Sequence, residues 1–254
     1  MWVVDSFVWE WVPRTIRLSR NIDHIFVSNP EDVDPWRART GGSVSVLAQG
    51  ADVLDLGSGR GERPVDIQRV GRQPGPWDDD VTNSAEAEAL GLVYRGRPPF
   101  TTDPLENQRA LAKQYSEARF TLSFSNRVDR QSYTHASREY LTFRWFDALS
   151  GGAVVAGVPP ECEVVRQFLW TGALLDFKTT DRTIGLGMIK DAATSWTPAV
   201  AMHNHRNALL KIDWRWRCKE VAALFAIPTP LLDAELERLT RIAASADPLE
   251  APEQ

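Results

Sequence analysis

Short apolar runs alternate with helix-like stretches along the first fifty residues of this 254-residue chain. Three of these runs have the composition of buried strands: residues 2–4, 24–28 and 44–47. A stretch with arginines three residues apart (Arg14, Arg17 and Arg20) indicates a helix between the first two runs, and residues 31–39, stopped by a Gly-Gly pair, indicate a second. Strands joined through helices predict parallel pairing, so we expect an α/β protein.

A second series of the same kind begins after a glycine-rich stretch at residues 51–64, which we interpret as a linker between two lobes. The predicted strands beyond it are residues 65–70, 92–94, 120–124 and 153–155, and the predicted helices include residues 84–90, 104–116 and 230–244. Residues 196–225 have the pattern of an interrupted helix. We therefore divide the chain into an N-terminal part with the linker (residues 1–60), a larger lobe (61–228) and a C-terminal helix with a frayed tail (229–254).

Composition excludes several classes of function. A formal charge of −5 and a pI near 5.5 argue against a nucleic-acid coat, which needs a surplus of positive charge. Cys162 and Cys218 are too few and too far apart for a zinc knuckle or a disulfide framework. No apolar window approaches the length of a membrane-spanning helix. These features favour a cytoplasmic protein, at most peripheral to a membrane, that binds no nucleic acid.

The most informative segment runs from Ser137 to Gly157. Apolar residues at positions i, i+4, i+7 and i+8 indicate one helical face: Leu141, Trp145, Ala148 and Leu149. Ser137 is a suitable N-cap, and the Gly-Gly pair at 151–152 supplies a left-handed stop before the next buried strand. The sequence thus predicts a helix from Ser137 to the Gly-Gly pair, followed by a buried strand at residues 153–155.

This segment resembles the Glu-x7-Glu region of retaining GT-B glycosyltransferases, with Glu139 and Asp147 in the two acidic places. Residues 142–152 are closer still to a variant, T-x-R-x-[FY]-[ED]-A-L-x-x-G, found in bacterial glycosyltransferases related to spore-maturation proteins. Upstream, residues 46–52 resemble the strand-to-linker signature V-I-P-N-G-V-D of GT-B proteins. The resemblance covers residues 25–217 and implies a Rossmann-like parallel sheet in a donor lobe, preceded by an incomplete N-terminal Rossmann-like lobe.

The resemblance also implies roles for individual residues. Asp147 would contact the ribose of a nucleoside-diphosphate sugar, and Glu139 would lie near the donor sugar or its phosphate. Arg144 and Arg72 would neutralise the leaving diphosphate, so that no metal and no cofactor besides the donor substrate is needed. Catalysis is assigned to Glu139 and Arg144, and donor binding to Gly71, Arg72, Arg97, His135, Thr142 and Asp147. The expected activity is a hexosyltransferase-like glycosyl transfer to an unidentified acceptor: a glycan, a lipid or a small molecule.

Three alternatives stay open at this point. Arg144 and Asp147 are also spaced for an ordinary i, i+3 salt bridge on the outer face of a helix. Residues 53–61 have the form of the first S-adenosylmethionine-binding motif of class I methyltransferases, which would make the chain a methyltransferase. A third interpretation is a nucleotide-binding lobe without turnover. The family pattern is incomplete, because Tyr140-Leu141-Thr142 replaces the usual Gly-Phe-Gly and the common lysine after the first donor-lobe turn is missing.

Two further clusters are expected to have structural rather than chemical roles. Asp78, Asp79 and Asp80 are interpreted as a solvated acidic loop. The segment 213–217, with two tryptophans and two arginines, is expected to pack the two lobes together.

Overall fold

The structure is a computed structural model that describes residues 1–3, 20–128, 135 and 137–245. The described residues form eight strands: β1 (Trp2–Val3), β2 (His24–Val27), β3 (Ser43–Val46), β4 (Val65–Arg69), β5 (Tyr94–Arg95), β6 (Ala118–Leu122), β7 (Val154–Gly157) and β8 (Leu174–Asp176). They also form ten α-helices: α1 (Val33–Thr40), α2 (Val53–Leu56), α3 (Asp80–Ala89), α4 (Pro104–Glu117), α5 (Phe143–Ser150), α6 (Glu163–Phe168), α7 (Arg182–Thr194), α8 (Pro198–Lys211), α9 (Trp214–Leu224) and α10 (Pro230–Ser245). Residues 14–17 of the first predicted helix lie outside the described residues.

The first sheet has three parallel strands in the order β1-β2-β3. Its apolar residues Ile25, Val27 and Val44 form a small core with Trp36 of α1. Trp36 is almost fully buried, so this one side chain fixes α1 against the sheet. The strand–helix–strand order predicted for residues 24–47 is confirmed.

The second sheet has five parallel strands in the order β5-β4-β6-β7-β8. The chain goes from β4 outward to β5 and then returns to place β6 on the other side of β4. The strand order therefore reverses between β4 and β6, which makes the carboxyl ends of these two strands the topological switch point of the sheet. The predicted α/β class with parallel sheets is confirmed.

Helices cover both faces of this sheet because consecutive strand residues point to opposite sides. In β7, Val154 and Ala156 pack with Leu186 of α7, whereas Val155 between them packs with Leu149 of α5. Both faces are apolar, as expected for a parallel strand buried between two helical layers. Because helices cover both faces, polar functional groups can be accessible to a ligand at the ends of the strands.

The stretch predicted as a linker contains a short helix, α2. Asp213 lies at its start: one carboxylate oxygen accepts hydrogen bonds from the backbone N–H groups of Val53 and Leu54, at 3.0 and 3.1 Å. The other oxygen accepts from the N–H of Arg215, so a single fully buried carboxylate caps two helices. These contacts join the start of the 213–217 segment to α2, whereas its packing of two lobes together stays a prediction.

The methyltransferase interpretation needs Val53–Leu56 to be a strand that leads into a glycine turn. These residues are instead the helix α2, and they pair with no sheet. The glycines that follow pass close to α8, where a Cβ at Gly57 would lie 2.9 Å from the ring of His205. The glycines are thus explained by close packing, and the methyltransferase alternative is not favoured.

The helix of the motif segment begins later than its sequence predicts, at Phe143 with Thr142 as N-cap, and not after Ser137. Residues just before it are engaged in other hydrogen bonds: Asn126 accepts from the N–H of Tyr140 at 3.0 Å and donates to the carbonyl of Arg138 at 3.0 Å. A side chain that satisfies backbone groups in this way competes with helix formation.

Elements that the sequence did not reveal are α6, β8 and α7, between residues 163 and 194. The predicted helix at 196–225 is two helices, α8 and α9, with the break at Ile212 and Asp213. Among the residues that are described, no helix has the length and apolar character required to cross a membrane.

Candidate functional site

A cleft opens at the switch point, at the carboxyl ends of β4 and β6. Its volume is about 100 Å³. It is lined by residues 72–74 after β4, residues 124–126 after β6, and Thr142 and Arg144 at the start of α5. Ligands of open parallel sheets bind outside the carboxyl ends of the strands at this position. The topology alone therefore makes this cleft a candidate binding site.

Gln73 ties the two strand ends together beneath the cleft. Its side-chain amide donates to the carbonyls of Val70 and Leu122, at 3.1 and 3.2 Å. The backbone just before it turns at Gly71, whose φ of +68° lies in the left-handed region that favours glycine. The turn after β4 is thereby held against the end of β6.

Arg144 projects from the first turn of α5 onto this glycine turn. A Cβ at Gly71 would lie only 2.6 Å from Nη2 of Arg144, and Nη1 donates to the carbonyl of Arg72 at 3.1 Å. Burial, together with the positive charges of Arg72, Arg69 and Arg97, lowers the pKa of Arg144. Within the described part of the chain, no carboxylate forms an ion pair with Arg144. A partly buried guanidinium without an acidic partner is arranged to receive an anion.

The neighbouring acidic residues are committed to other arginines. Asp80 pairs with the buried Arg69 at 2.8 Å and accepts from the backbone N–H of Arg97 at 3.0 Å. Asp78 also pairs with Arg69 and lies 3.5 Å from Arg97. These hydrogen bonds and charges lower the pKa of Asp80, in spite of its partial burial. The expectation of a merely solvated acidic loop is wrong for these two residues, because they hold Arg69 and Arg97 beside the cleft.

Glu139 lies behind the cleft wall and not in the cleft itself. Its carboxylate accepts from the hydroxyl of Ser125, which lines the cleft, and from the backbone N–H of Glu161 at 3.0 Å. Arg127 is 3.9 Å from the same carboxylate. Glu139 is only 9% exposed, so its contact with the cleft passes through Ser125.

Asp147 faces a second cavity, of about 210 Å³, one helical turn beyond Arg144. This cavity is lined by the linker, α4, α5 and α9: Gly50, Ala51, Asp52, Leu56, Gln108, Leu111, Ala112, Tyr115, Phe143, Asp147, Ser150 and Trp214. Although both residues are described, no ion pair or hydrogen bond joins Asp147 to Arg144, so the salt-bridge alternative is wrong. Burial raises the pKa of Asp147 to about 7.

Tyr115 lies near both Asp147 and Arg144. It is almost fully buried at the end of α4, and burial together with the nearby carboxyl of Asp147 raises the pKa of its hydroxyl, while Arg144 acts in the opposite direction. Asp147 lies in the middle of α5, five residues after the N-cap Thr142.

The remaining predicted site residues differ in their placement. Thr142 lines the cleft, and its side chain makes no capping hydrogen bond. His135 lies in the segment before the motif, where Nδ1 accepts from the backbone N–H groups of Ser137 and Arg138, at 3.2 and 3.1 Å. The structure thus brings Gly71, Arg72, Thr142 and Arg144 together, with Arg97 beside them. It places Asp147 in the adjacent cavity and Glu139 one hydrogen bond behind.

Sequence reasoning missed three residues of the cleft: Gln73, Ser125 and Asn126. A signal for the last two was present, because the polar Ser125-Asn126 pair directly follows a predicted apolar strand. Within the described ranges, no group of three or more His, Cys, Asp or Glu side chains is placed to hold a metal ion.

No protein-family profile and no curated protein matches the chain. Solved structures with a similar fold include the GtfA/B complex (12% identity, TM-score 0.47, covering 85% of this chain and 48% of that chain). The pneumococcal O-GlcNAc transferase GtfA in complex with UDP and GlcNAc is another (11%, TM-score 0.46, 95% and 48%).

A third is Anabaena Alr3699/HepE in complex with UDP and glucose (10% identity, TM-score 0.51, 85% of this chain and 66% of that chain). The chain thus spans about half the length of the first two proteins and about two thirds of the third. At such low identity the likeness concerns the fold alone: the chain has an α/β fold with Rossmann-like parallel sheets.

Proposed function

We propose that this chain binds a nucleoside-diphosphate sugar and is a glycosyltransferase, with the diphosphate at the switch-point cleft. The observation that carries the proposal is Arg144, a partly buried guanidinium in the lining of the cleft that no carboxylate among the described residues neutralises. Leaving a charge unpaired where it is partly removed from water costs free energy, and a bound diphosphate would reduce that cost. An Arg-phosphate contact is also among the stronger hydrogen bonds in proteins.

Three features of the chain support an anionic ligand over a neutral one. The turn at Gly71 brings backbone close to the guanidinium of Arg144, Arg72 lines the same cleft, and the N-terminal end of α5 contributes Thr142 and Arg144 to the lining. A further support is the likeness in fold to Alr3699/HepE, whose structure was solved with UDP and glucose.

In this proposal Arg144 and Arg72 bind the diphosphate and stabilise the charge that develops on it as the sugar leaves, without a metal ion. Asp147 contacts the ribose from the adjacent cavity, and Arg97 adds positive charge at the rim. Glu139 acts on the donor side through Ser125. Thr142 contacts the donor, as does His135 at the sugar end. Residues 61–228 hold the donor, residues 1–60 contribute to the acceptor side, and the acceptor is a glycan, a lipid or a small molecule.

The test is direct binding of UDP, ADP and GDP by calorimetry, with S-adenosylhomocysteine as the negative control. We expect one nucleoside diphosphate to bind, and Arg144→Gln to weaken it about 10- to 100-fold, the loss of a hydrogen bond to a charged group. Arg166→Gln is the matched control, because Arg166 is exposed on α6 and paired with Glu163. Failure of all three nucleotides to bind would refute the proposal. Binding without donor hydrolysis or transfer would indicate a nucleotide-binding lobe without turnover.

A further inference from the structure

The first sheet contacts the segment that carries Glu139. A turn at residues 29–32, directly after β2, reaches this segment from the opposite side of the cleft wall. The side-chain amide of Asn29 donates to the carbonyl of Glu139 at 3.2 Å. The carboxylate of Asp32 pairs with Arg138 and accepts from the hydroxyl of Tyr140 at 3.4 Å. The residues on both sides of Glu139 are therefore bound to one carboxylate.

Asp32 is completely buried, whereas a carboxylate on a short turn would ordinarily face solvent. Burying a carboxylate costs free energy unless charged and hydrogen-bonding partners compensate for the lost water. Arg138 and Tyr140 are such partners. Because part of this compensation is lost if either moves away, Asp32 restricts the backbone of the segment between them.

Contacts continue from Glu139 to the cleft. One carboxylate oxygen of Glu139 accepts from the hydroxyl of Ser125, and the other accepts from the backbone N–H of Glu161. The hydroxyl oxygen of Ser125 also accepts from the N–H of Arg127 at 3.2 Å. With two of its bonding directions engaged in this way, the Ser125 hydroxyl has a defined orientation at the cleft wall.

We propose that Asp32 is a positioning residue for the switch-point cleft: it fixes Arg138 and Tyr140 on either side of Glu139, whose carboxylate in turn orients the Ser125 hydroxyl. The inference rests on the proposed function, because it concerns the same cleft. It assigns to the turn that follows β2 a role in shaping the cleft. The ligand affected is the diphosphate of a nucleotide.

A purely structural ion pair would have different consequences from a positioning residue. If Asp32 only stabilised the fold, Asp32→Asn would lower the melting temperature and leave the affinity of the folded protein unchanged. If Asp32 acts through Ser125, its removal weakens nucleotide binding, and this effect disappears once Ser125 is absent. A double-mutant cycle separates the two cases.

The experiment measures UDP affinity by calorimetry, well below each melting temperature, for the full chain and for Asp32→Asn, Ser125→Ala and the double variant. We expect each single substitution to weaken binding about fivefold, and the double variant to bind no more weakly than the weaker single variant. Additive losses, or an unchanged affinity in Asp32→Asn, would overturn the inference. Failure of the unsubstituted chain to bind any nucleoside diphosphate would overturn the proposed function as well.

Two further variants guard against a misfolded Asp32→Asn. Arg138→Gln breaks the same ion pair from its partly exposed side and should reproduce the loss of affinity, measured below a melting temperature that we expect to fall because the buried Asp32 loses its cation. Unchanged affinity in Arg138→Gln would count against the inference in the same way. Asp34→Asn is the matched control, because Asp34 is an exposed carboxylate in the neighbouring helix α1 whose partner is Arg37, and its affinity should be that of the unsubstituted chain.

Discussion

The guanidinium of Arg144 occupies the space beside Gly71 that a side chain would need, so that a Cβ there would be 2.6 Å from Nη2 and 3.1 Å from Cζ of the arginine. No real Cβ makes so short a contact, and one of the two groups would have to move. Arg144 of α5 can therefore take this position only because residue 71, after β4, is a glycine. This relationship couples the turn after β4 to the first turn of α5.

Gly71→Ala is expected to displace Arg144 from the cleft and to weaken nucleotide binding about 10-fold, as calorimetry would measure. The change should also cost about 1 kcal/mol of stability, because φ at this position is +68°. Gly91→Ala provides the control: Gly91 has a φ of +77°, but no other atom lies within 4 Å of a Cβ there. It should lose similar stability and keep its affinity. Equal affinities for the two variants would contradict a role for the contact between Gly71 and Arg144.

Asp147 should make the stability of the protein depend on pH. Burial raises the pKa of Asp147 in the folded state to about 7, from 3.8 in its absence. Between these values the folded state holds a proton that the unfolded state releases, so stability falls as pH rises from about 4 to about 7 and changes no further above that. Asp147→Asn has no such proton and should therefore be the more stable protein above pH 7.

The difference should reach about 2–4 kcal/mol at pH 8 and nearly vanish at pH 4, as denaturant titrations of both proteins at the two pH values would show. Asp191→Asn, which replaces an exposed carboxylate on α7, is expected to have little effect at either pH. A constant difference between Asp147→Asn and the unsubstituted protein across this range would mean that Asp147 is ionised throughout.

Much of the fold follows from local sequence patterns. The strand at residues 24–27 contains a short apolar run, the strand at 65–69 alternates apolar and polar residues, and α4 has an Asp N-cap, Asp103, followed by proline in its first turn. What the sequence misplaced depends on long-range contacts. The start of α5 is set by Asn126, which lies 14 residues from its partner Tyr140, and no pattern within the helix itself contains that information.

The candidate site could likewise be predicted only in part from the sequence. The resemblance of residues 142–152 to a known motif brought Thr142, Arg144 and Asp147 to attention, and the structure places the first two in one cleft. The motif could not show that Asp147 faces a different cavity from Arg144. Both residues lie on the same short helix, and only their neighbours from other elements separate them. The role of Asp32 was invisible, since its partners are more than 100 residues away.

Arg63 offers a prediction about stability that is independent of ligand binding. Its buried guanidinium donates to carbonyl oxygens at the ends of two helices, including those of Tyr115 at 3.0 Å and Gly151 at 2.6 Å. Its other acceptors are the carbonyls of Ser58, Arg60 and Ala118. Burial, together with the positive charge of Arg60, lowers the pKa of Arg63 to about 10. Burying the charge of Arg63 is unfavourable, but the same guanidinium supplies hydrogen bonds to several buried carbonyl oxygens.

Because Arg63→Ala leaves these buried acceptors without donors, we expect a loss of about 3 kcal/mol or more in the free energy of unfolding. Arg60→Ala, three residues away and exposed, should change the same quantity by less than about 0.5 kcal/mol. Denaturant unfolding of both variants tests the comparison. A small loss in Arg63→Ala would mean that water can replace the guanidinium, and that the ends of α4 and α5 need no common donor to stay in place.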